Sequence, residues 1–303
     1  MHRVLACEQC GAELTASGVR TVRCPYCASP SVVERPAAAE RTDPRFVVAF
    51  TGDASGARGS LDRWLGSRHW FADPKLRRAR EARAGERVIE DLRGIYVPAY
   101  LYSAVAHADY SASIAEHYHE KEERTKPDGT TETRTITRTE YRLLSGRHVS
   151  YVTDVVVSAS RGLSHRELAA IEPYDFRALR RYDAALVSGW LAEEFARSFD
   201  ECQTASRREA LDEVGARLRR FMPGDGFSDL DWHAQISWES LDPVFVPVWM
   251  FAVRYRDDRP PLRVAINGQT GRIAGKVPLS WPRVVAALIV LAAIALAVWW
   301  GLR

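Results

Sequence analysis

Four of the five cysteines in this chain fall in two tight pairs, Cys7-Glu8-Gln9-Cys10 and Cys24-Pro25-Tyr26-Cys27, with thirteen residues between them. A C-x-x-C pair sets two thiolates on one turn whose backbone amides face the sulfurs, and two such turns complete a tetrahedral shell. The spacing predicts a metal site made of Cys7, Cys10, Cys24 and Cys27, with structural zinc as the ion and rubredoxin-like iron as the alternative. Four thiolates leave no coordination position for water or substrate, so the ion would hold structure, and folding around it would depend on the metal. Closely spaced pairs of this kind in a reducing compartment mean metal rather than disulfides. A thioredoxin-like redox role needs one C-x-x-C in a βαβ setting, which is absent here. Cys202 stands alone and reads as a small buried apolar residue.

The remaining reactive side chains form no catalytic set, and the chain is expected not to be an enzyme. Gly271-Arg272-Ile273-Ala274-Gly275-Lys276 imitates a phosphate loop but is one residue short, with Val277 where a hydroxyl should hold magnesium. Neither a G-x-S-x-G, an H-E-x-x-H nor a dinucleotide fingerprint occurs, and no small-molecule substrate is evident. Asp257-Asp258 reads as a turn. His117 and His119 share one side of a strand, but the sequence places no third ligand beside them, so a polar strand face is the simpler reading.

The elements that position the cysteines begin with Val19 to Arg23 and Val32-Val33, which suit the short strands of a ribbon, while Gly11 supplies a permissive backbone past the first turn. At the opposite end Val284 to Leu302 holds 19 residues without a charge, long enough as a helix to span the ~30 Å hydrocarbon core of a bilayer. Pro282 suits its first turn, and Trp281, Trp299 and Trp300 sit where interfacial aromatics belong. Arg272, Lys276 and Arg283 precede the span and Arg303 follows it, so the positive-inside tendency puts the large domain in the cytoplasm. No signal peptide precedes it, because Cys7 and Glu8 break the first apolar run, so a late-inserting tail anchor is expected.

Between these ends the composition, 46% hydrophobic and 27% charged, is that of a globular chain, and a net charge of +3 is too near balance to require a nucleic-acid partner. The expected fold class is α+β, divided into a zinc ribbon (1–35), a linker (36–44), a mixed domain (45–280) and a transmembrane anchor (281–303). Within the mixed domain, Phe46 to Phe50 is strand-like and a helix follows around Leu61, Trp64 and Leu65. Asp73-Pro74 opens a basic helix carrying Arg77 to Arg87, either a solvated face or a contact for anionic lipid headgroups. Gly94 to Tyr102 and Val244 to Phe251 echo one another around Pro98 and Pro247, which predicts two related β halves with each proline at an edge or bulge.

Ser111 to Ser160 alternates with period two around Pro127-Asp128-Gly129 and predicts a long hairpin, polar on both sides near its tip, projecting into solvent or onto a partner. Ser164 to Glu167 and Ser206 to Glu209 both fit a capping box. Leu186, Trp190 and Phe195, then Leu211, Val214, Leu218 and Phe221, recur at helical spacing. Val264 to Ala274 reads as a closing hairpin across Asn267-Gly268-Gln269-Thr270-Gly271.

Together the CEQCG and CPYC turns, WFADPKL, GIYVPAYLY, EPYDF, VSGWLAEEF, VPVWMF and INGQTGRIAGKVPLS resemble a family of bacterial zinc-ribbon membrane proteins. Members have been labelled relatives of a primosomal helicase on account of the ribbon. Ala99-Tyr100 stands where the family more often has Phe-Trp. The resemblance implies an architecture and the four metal ligands, not a reaction. The resulting expectation is a tail-anchored adaptor or scaffold on the cytoplasmic membrane face that presents the ribbon and the hairpin to a protein partner. The alternative is a membrane-tethered nucleic-acid binder using Arg3, Arg20, Arg23 and Arg35, although Tyr26 is the one stacking ring near them.

Overall fold

A computed structural model describes residues 3–16, 23–30, 32–36, 42–67, 92–125, 127, 131–253, 262–276 and 280–301. The basic helix expected after Asp73-Pro74, the turn at Asp257-Asp258 and residues 19–22 lie outside them. The described elements are strands and a few helices, an α+β arrangement. Three short strands come first, β1 (Arg3–Cys7), β2 (Glu13–Ala16) and β3 (Val32–Pro36), then β4 (Phe46–Val48) and helix α1 (Ala54–Ser67). Two very long strands, β5 (Leu92–Thr125) and β6 (Thr131–Ser158), are followed by α2 (His165–Ala169), β7 (Leu179–Arg181) and β8 (Leu191–Glu193). Helix α3 (Phe199–Phe221), β9 (Gly226–Val253), β10 (Leu262–Asn267), β11 (Ile273–Gly275) and α4 (Trp281–Gly301) complete the chain.

The strand order runs β11-β10-β9-β5-β8-β2-β1-β3, with β6 beside β5 and β4 beside β9 and β7. Two compact units divide the chain: one holds Met1–Tyr100, Val156–Cys202 and Asp242–Arg303, the other Leu101–Val155 and Gln203–Leu241. The first unit contains the cysteines. Its core gathers Leu61 and Trp64 of α1 with Leu92, Trp249, Phe251 and Ile266, and Phe50 stacks on Trp190 with ring centroids 4.2 Å apart. Asp53 caps α1 by accepting the Gly56 amide at 2.8 Å, and that bond holds its carboxyl below the usual range.

The echoing strands β5 and β9 are neighbours in the interior of the sheet rather than edges. Each proline is tolerated because it stands where a ladder stops. Pro247 is one residue past the last β10 pair, Asn267 with Val248, and Pro98 is two past the last β8 pair, Ala192 with Tyr96. Their carbonyls accept from Gly268 at 2.9 Å and Ala159 at 3.0 Å.

Two helix expectations are corrected. The stretch around Trp190 is a short 3-10 turn at Ala184–Val187 followed by strand β8, because Gly189 takes φ 82° and breaks any helical run. Ser206 is no cap: it lies buried inside α3, whose first turn is held by Ser198 Oγ accepting from Glu201 N at 3.3 Å. The local pattern S-x-x-E is satisfied there, but Ser206, Ala210, Val214 and Leu218 recur every four residues on the buried stripe of the helix. At Ser164 the box does form, with the Ser164 amide donating to Glu167 at 3.0 Å. The Asn267 turn is as expected: Asn267 Oδ1 accepts from Gln269 at 2.8 Å and Thr270 at 3.0 Å, and Gly271 takes φ 70°. Its Nδ2 donates to Ile171 and Pro173 at 3.0 and 3.1 Å, which ties the EPYDF segment to the hairpin.

In the second unit β5 and β6 form the long hairpin. His117 with Thr139, His119 with Thr137 and Asp109 with Arg147 are pairs in which one position rises by as much as the other falls, so the strands run antiparallel in a single register. Residues Glu116 to Glu123 and Thr133 to Leu143 are almost all exposed, so toward the tip both sides of the ribbon face solvent. Helix α3 covers the other end. Phe221 meets Tyr110 and His148 at ring distances of 6.1 and 5.2 Å, and a side chain on Gly215 would strike Trp232 at 2.7 Å. Glu239 joins this packing by accepting from Tyr102 Oη at 2.8 Å and from the Arg207 guanidinium.

Candidate metal centre

The two cysteine turns are built alike from the backbone up. In the first, Gly11 N donates to Cys7 O at 2.9 Å and Cys7 N to Ala12 O at 2.9 Å; in the second, Ala28 N donates to Cys24 O at 2.9 Å and Cys24 N to Ser29 O at 2.8 Å. Each turn closes on a left-handed residue, Gly11 at φ 73° and Ala28 at φ 55°. Glycine adopts that backbone freely, whereas alanine pays a steric cost for it. The β1–β2 ladder, Leu5 with Leu14 and Ala6 with Glu13, and the β1–β3 ladder from Arg3 with Pro36 to Cys7 with Val32 hold the first turn between neighbours.

This scaffold brings all four sulfurs within 4.8 Å of one another. Cys7 Sγ lies 3.6 Å from Cys27 Sγ, and Cys10 Sγ 3.6 Å from Cys24 Sγ, each turn facing the other. A tetrahedron with metal–sulfur bonds of ~2.3 Å has edges of ~3.8 Å, so the spacing fits a shared ion and is too long for disulfides at ~2.05 Å. The sulfurs also receive amides from Ala12 on Cys10, Tyr26 and Cys27 on Cys24, and Ser29 on Cys27, all of which favour thiolate. Burial works against them. It pushes the Cys27 thiol up to about 11, while donation from Cys24 brings Cys10 down to about 5 and raises Cys24 in turn. Thiols crowded in this way cannot all ionise without a cation among them, and a divalent metal supplies one.

The second turn stands on a buried carboxylate that sequence reasoning did not find. Glu193, at the end of β8, is fully buried and accepts four hydrogen bonds. Oε2 receives Tyr26 Oη at 2.5 Å and Ser160 Oγ at 2.6 Å; Oε1 receives Gly162 N at 2.9 Å and Arg161 N at 3.1 Å. The strand that carries it, β8, pairs with β2 of the cysteine segment, Leu14 with Glu193 through Ala16 with Leu191. Burial pushes the Glu193 carboxyl up despite the four donors, and raises the Tyr26 phenol well above its ordinary value, with the Glu193 charge adding to the shift. Gly162 is required by the packing, since a Cβ there would run into the Tyr26 ring. Arg263 closes the far side, 5.9 Å from the Tyr26 ring centroid and bonded to the Gly162 carbonyl. The only sequence cue to Glu193 was a carboxylate pair in an apolar run, Leu191 to Phe195.

The other residues singled out in sequence lie apart from this cluster. His117 and His119 are exposed, their Nδ1 atoms 2.9 Å from Thr139 Oγ1 and 3.2 Å from Thr137 Oγ1, and no carboxylate completes a metal set around them among the described residues. Cys202 is fully buried, and burial pushes its thiol up to about 11. Lys276 follows Gly275 at the end of β11, in an edge hairpin rather than at a strand-to-helix phosphate cradle.

Helix α4 carries no charge from Val284 onward, and the stretch Trp281–Trp300 is long and apolar enough to cross a membrane, with none of it buried in the protein. Its side chains from Val285 to Trp300 are largely exposed, including Ile289, Leu291, Leu296 and Trp300. Large contiguous apolar surface of this kind is unfavourable in water and marks a face that needs an apolar environment.

Fold and site together define a mixed α+β protein with an N-terminal four-cysteine cluster and one apolar C-terminal helix. Among curated proteins the chain is similar to the uncharacterized protein YdjG of Bacillus subtilis (strain 168), with 26% identity over 133 residues. That stretch is 44% of this chain and 38% of the relative, so the likeness spans well under half of either protein. No family model and no solved structure matches the chain.

Proposed function

We propose that the protein is a non-enzymatic adaptor or scaffold held at the cytoplasmic face of a membrane, with a zinc-stabilised ribbon at its front and α4 as a single-pass anchor. The convergence of four cysteine sulfurs, with pairs 3.6 Å apart, on turns whose amides favour thiolate carries the zinc part of this reading. Zinc suits four thiolates in a tetrahedron, and a filled shell makes the ion a structural one. The unburied apolar length of α4 supports the anchor. The hairpin tip, solvated on both sides, supplies display surface for a protein partner, because a ribbon that buries nothing contributes little to its own fold.

Crosslinking in intact cells, comparing the native chain with Cys24→Ser, tests the proposal. A membrane-bound native protein that captures defined partners, with those partners lost or changed in the variant, is the expected result. Partners unchanged in the variant, with the rest of the chain still folded, would remove the ribbon from the adaptor role.

A further inference from the structure

Strand β6 has β5 on one side and, among the described residues, no neighbour on the other. An open strand edge is a template for another strand, and proteins commonly guard one with proline, bulges or short length. The 28 residues of β6 contain no proline, and its left-handed residue, Asp154 at φ 64°, comes only near the end. On the side packed toward α3, Ser150 and Val152 are buried and His148 meets Phe221. On the opposite side Tyr141, Leu143, Val149 and Tyr151 are 66, 83, 45 and 69% exposed.

These four apolar residues are arranged as a palindrome. Leu143 and Val149 stand three positions either side of Gly146, and Tyr141 and Tyr151 stand five. We propose that β6 pairs edge to edge and antiparallel with β6 of a second copy of this chain, about a two-fold axis at Gly146. In that register Tyr141 of one copy comes opposite Tyr151 of the other, Leu143 opposite Val149, Ser145 opposite Arg147, and Leu144 opposite His148. Aromatic and β-branched cross-strand pairs stabilise a sheet, and like charges placed opposite one another oppose it. Between Glu140 and Val152 no two like charges come opposite, and three positions beyond Tyr141, Arg138 meets Asp154. Each Arg147, close to the axis, is already neutralised by Asp109 at 3.0 Å.

The Tyr151 carbonyl accepts from Arg217 Nη1 at 2.6 Å, and its second lone pair is left for a strand amide. A strand from a different protein would gain nothing from the palindrome, whereas a second copy meets every favourable pair twice. The pairing stands whether or not the cysteines hold a metal, and it leaves the hairpin tip free.

Coexpression of two differently tagged full-length chains, one with Ser145→Cys and one with Arg147→Cys, tests the register in detergent-solubilised membranes. Opposed strand residues lie roughly 4.5–5.5 Å apart at Cα, within reach of a disulfide. Mild oxidation is expected to join the two tags far more than it joins either variant to itself, and light scattering corrected for detergent should report twice the chain mass. Leu143→Lys, at a position where the single chain buries little, should raise the dimer dissociation constant about tenfold or more. A monomer with no mixed crosslink overturns the proposal, as does a dimer indifferent to Leu143→Lys. Crosslinks only to a different protein also overturn it and assign the edge to a foreign strand.

Discussion

Removing the acceptor beneath the second cysteine turn gives the sharpest test of how the ribbon is held. Glu193 serves two kinds of donor: two backbone amides on Oε1, which cannot turn away, and two hydroxyls on Oε2, which can. In Glu193→Gln the amide oxygen can keep Arg161 N and Gly162 N while its NH2 faces Tyr26 and Ser160, whose hydroxyls rotate to accept. The loss is then at most the difference between charged and neutral hydrogen bonds, about 1–2 kcal/mol, and is reduced because glutamine also removes the burial cost that raises the Glu193 carboxyl. Glu193→Ala strands all four donors at a cost of about 1–3 kcal/mol each, reduced where water enters, for a total of about 3–6 kcal/mol. Chemical denaturation of the metal-loaded protein, with hydrogen exchange at Arg161, Gly162 and the two cysteine turns, separates the variants. The pH dependence has a definite sign. A carboxyl whose folded pKa is raised contributes stability that is fully present below its unfolded value of ~4.3 and is lost as pH rises through the raised value. Glu193→Gln should abolish that slope. An alanine variant within about 1 kcal/mol of the native chain, or glutamine as costly as alanine, would refute the acceptor count as the source of the ribbon's attachment.

Three further outcomes follow from the geometry. Ala28→Gly should stabilise the metal-bound ribbon by about 0.5–1 kcal/mol, because glycine carries φ 55° without the alanine clash; competition with a chromophoric chelator reads it, and weaker metal retention would contradict it. The Arg207 guanidinium, bonded to Glu239, holds the Glu239 carboxyl below the usual range, so its contribution is present above the ordinary carboxylate pKa and lost as pH falls through the lowered value. Glu239→Gln should flatten the acid limb of a denaturation-versus-pH curve, and an unchanged limb would show that other carboxylates set it. In thiol titration at roughly pH 8 the native protein should react little, since burial pushes Cys202 up to about 11. A chelator should then unmask Cys7, Cys10, Cys24 and Cys27 together; release one at a time would contradict a shared ion.

How much of the molecule is legible in its sequence follows the range of the interactions involved. Cys7-x-x-Cys10 and Cys24-x-x-Cys27 each declare a turn within six residues, and Ser164 with Glu167 and Asn267 with Thr270 do the same, so the local pattern alone is enough to place all of them. Helix α1 and the apolar run of α4 are legible from periodicity and length. Glu193 is not, because its partner Tyr26 lies 167 positions away and only the fold brings them together. Leu186, Trp190 and Phe195 suggest helical spacing, but Gly189 and the β2 ladder override it, as tertiary pairing routinely overrides local pattern. The Ser206 motif fails for a related reason: a capping pattern names a possible start, and the buried stripe through Ala210, Val214 and Leu218 extends upstream of it. Pro98 and Pro247 argue for edge strands, and only the register shows that each stands just past the end of a ladder.

Whether the four cysteines hold a metal in a membrane-bound chain is read by metal analysis of the full-length protein, purified from detergent-solubilised membranes and passed through gel filtration in the presence of a weak chelator. One tightly held zinc ion per chain is expected in the membrane-derived sample and none in a Cys7→Ser/Cys24→Ser variant. A native chain that stays in the aqueous fraction after membranes are pelleted, or that carries no metal, would contradict it.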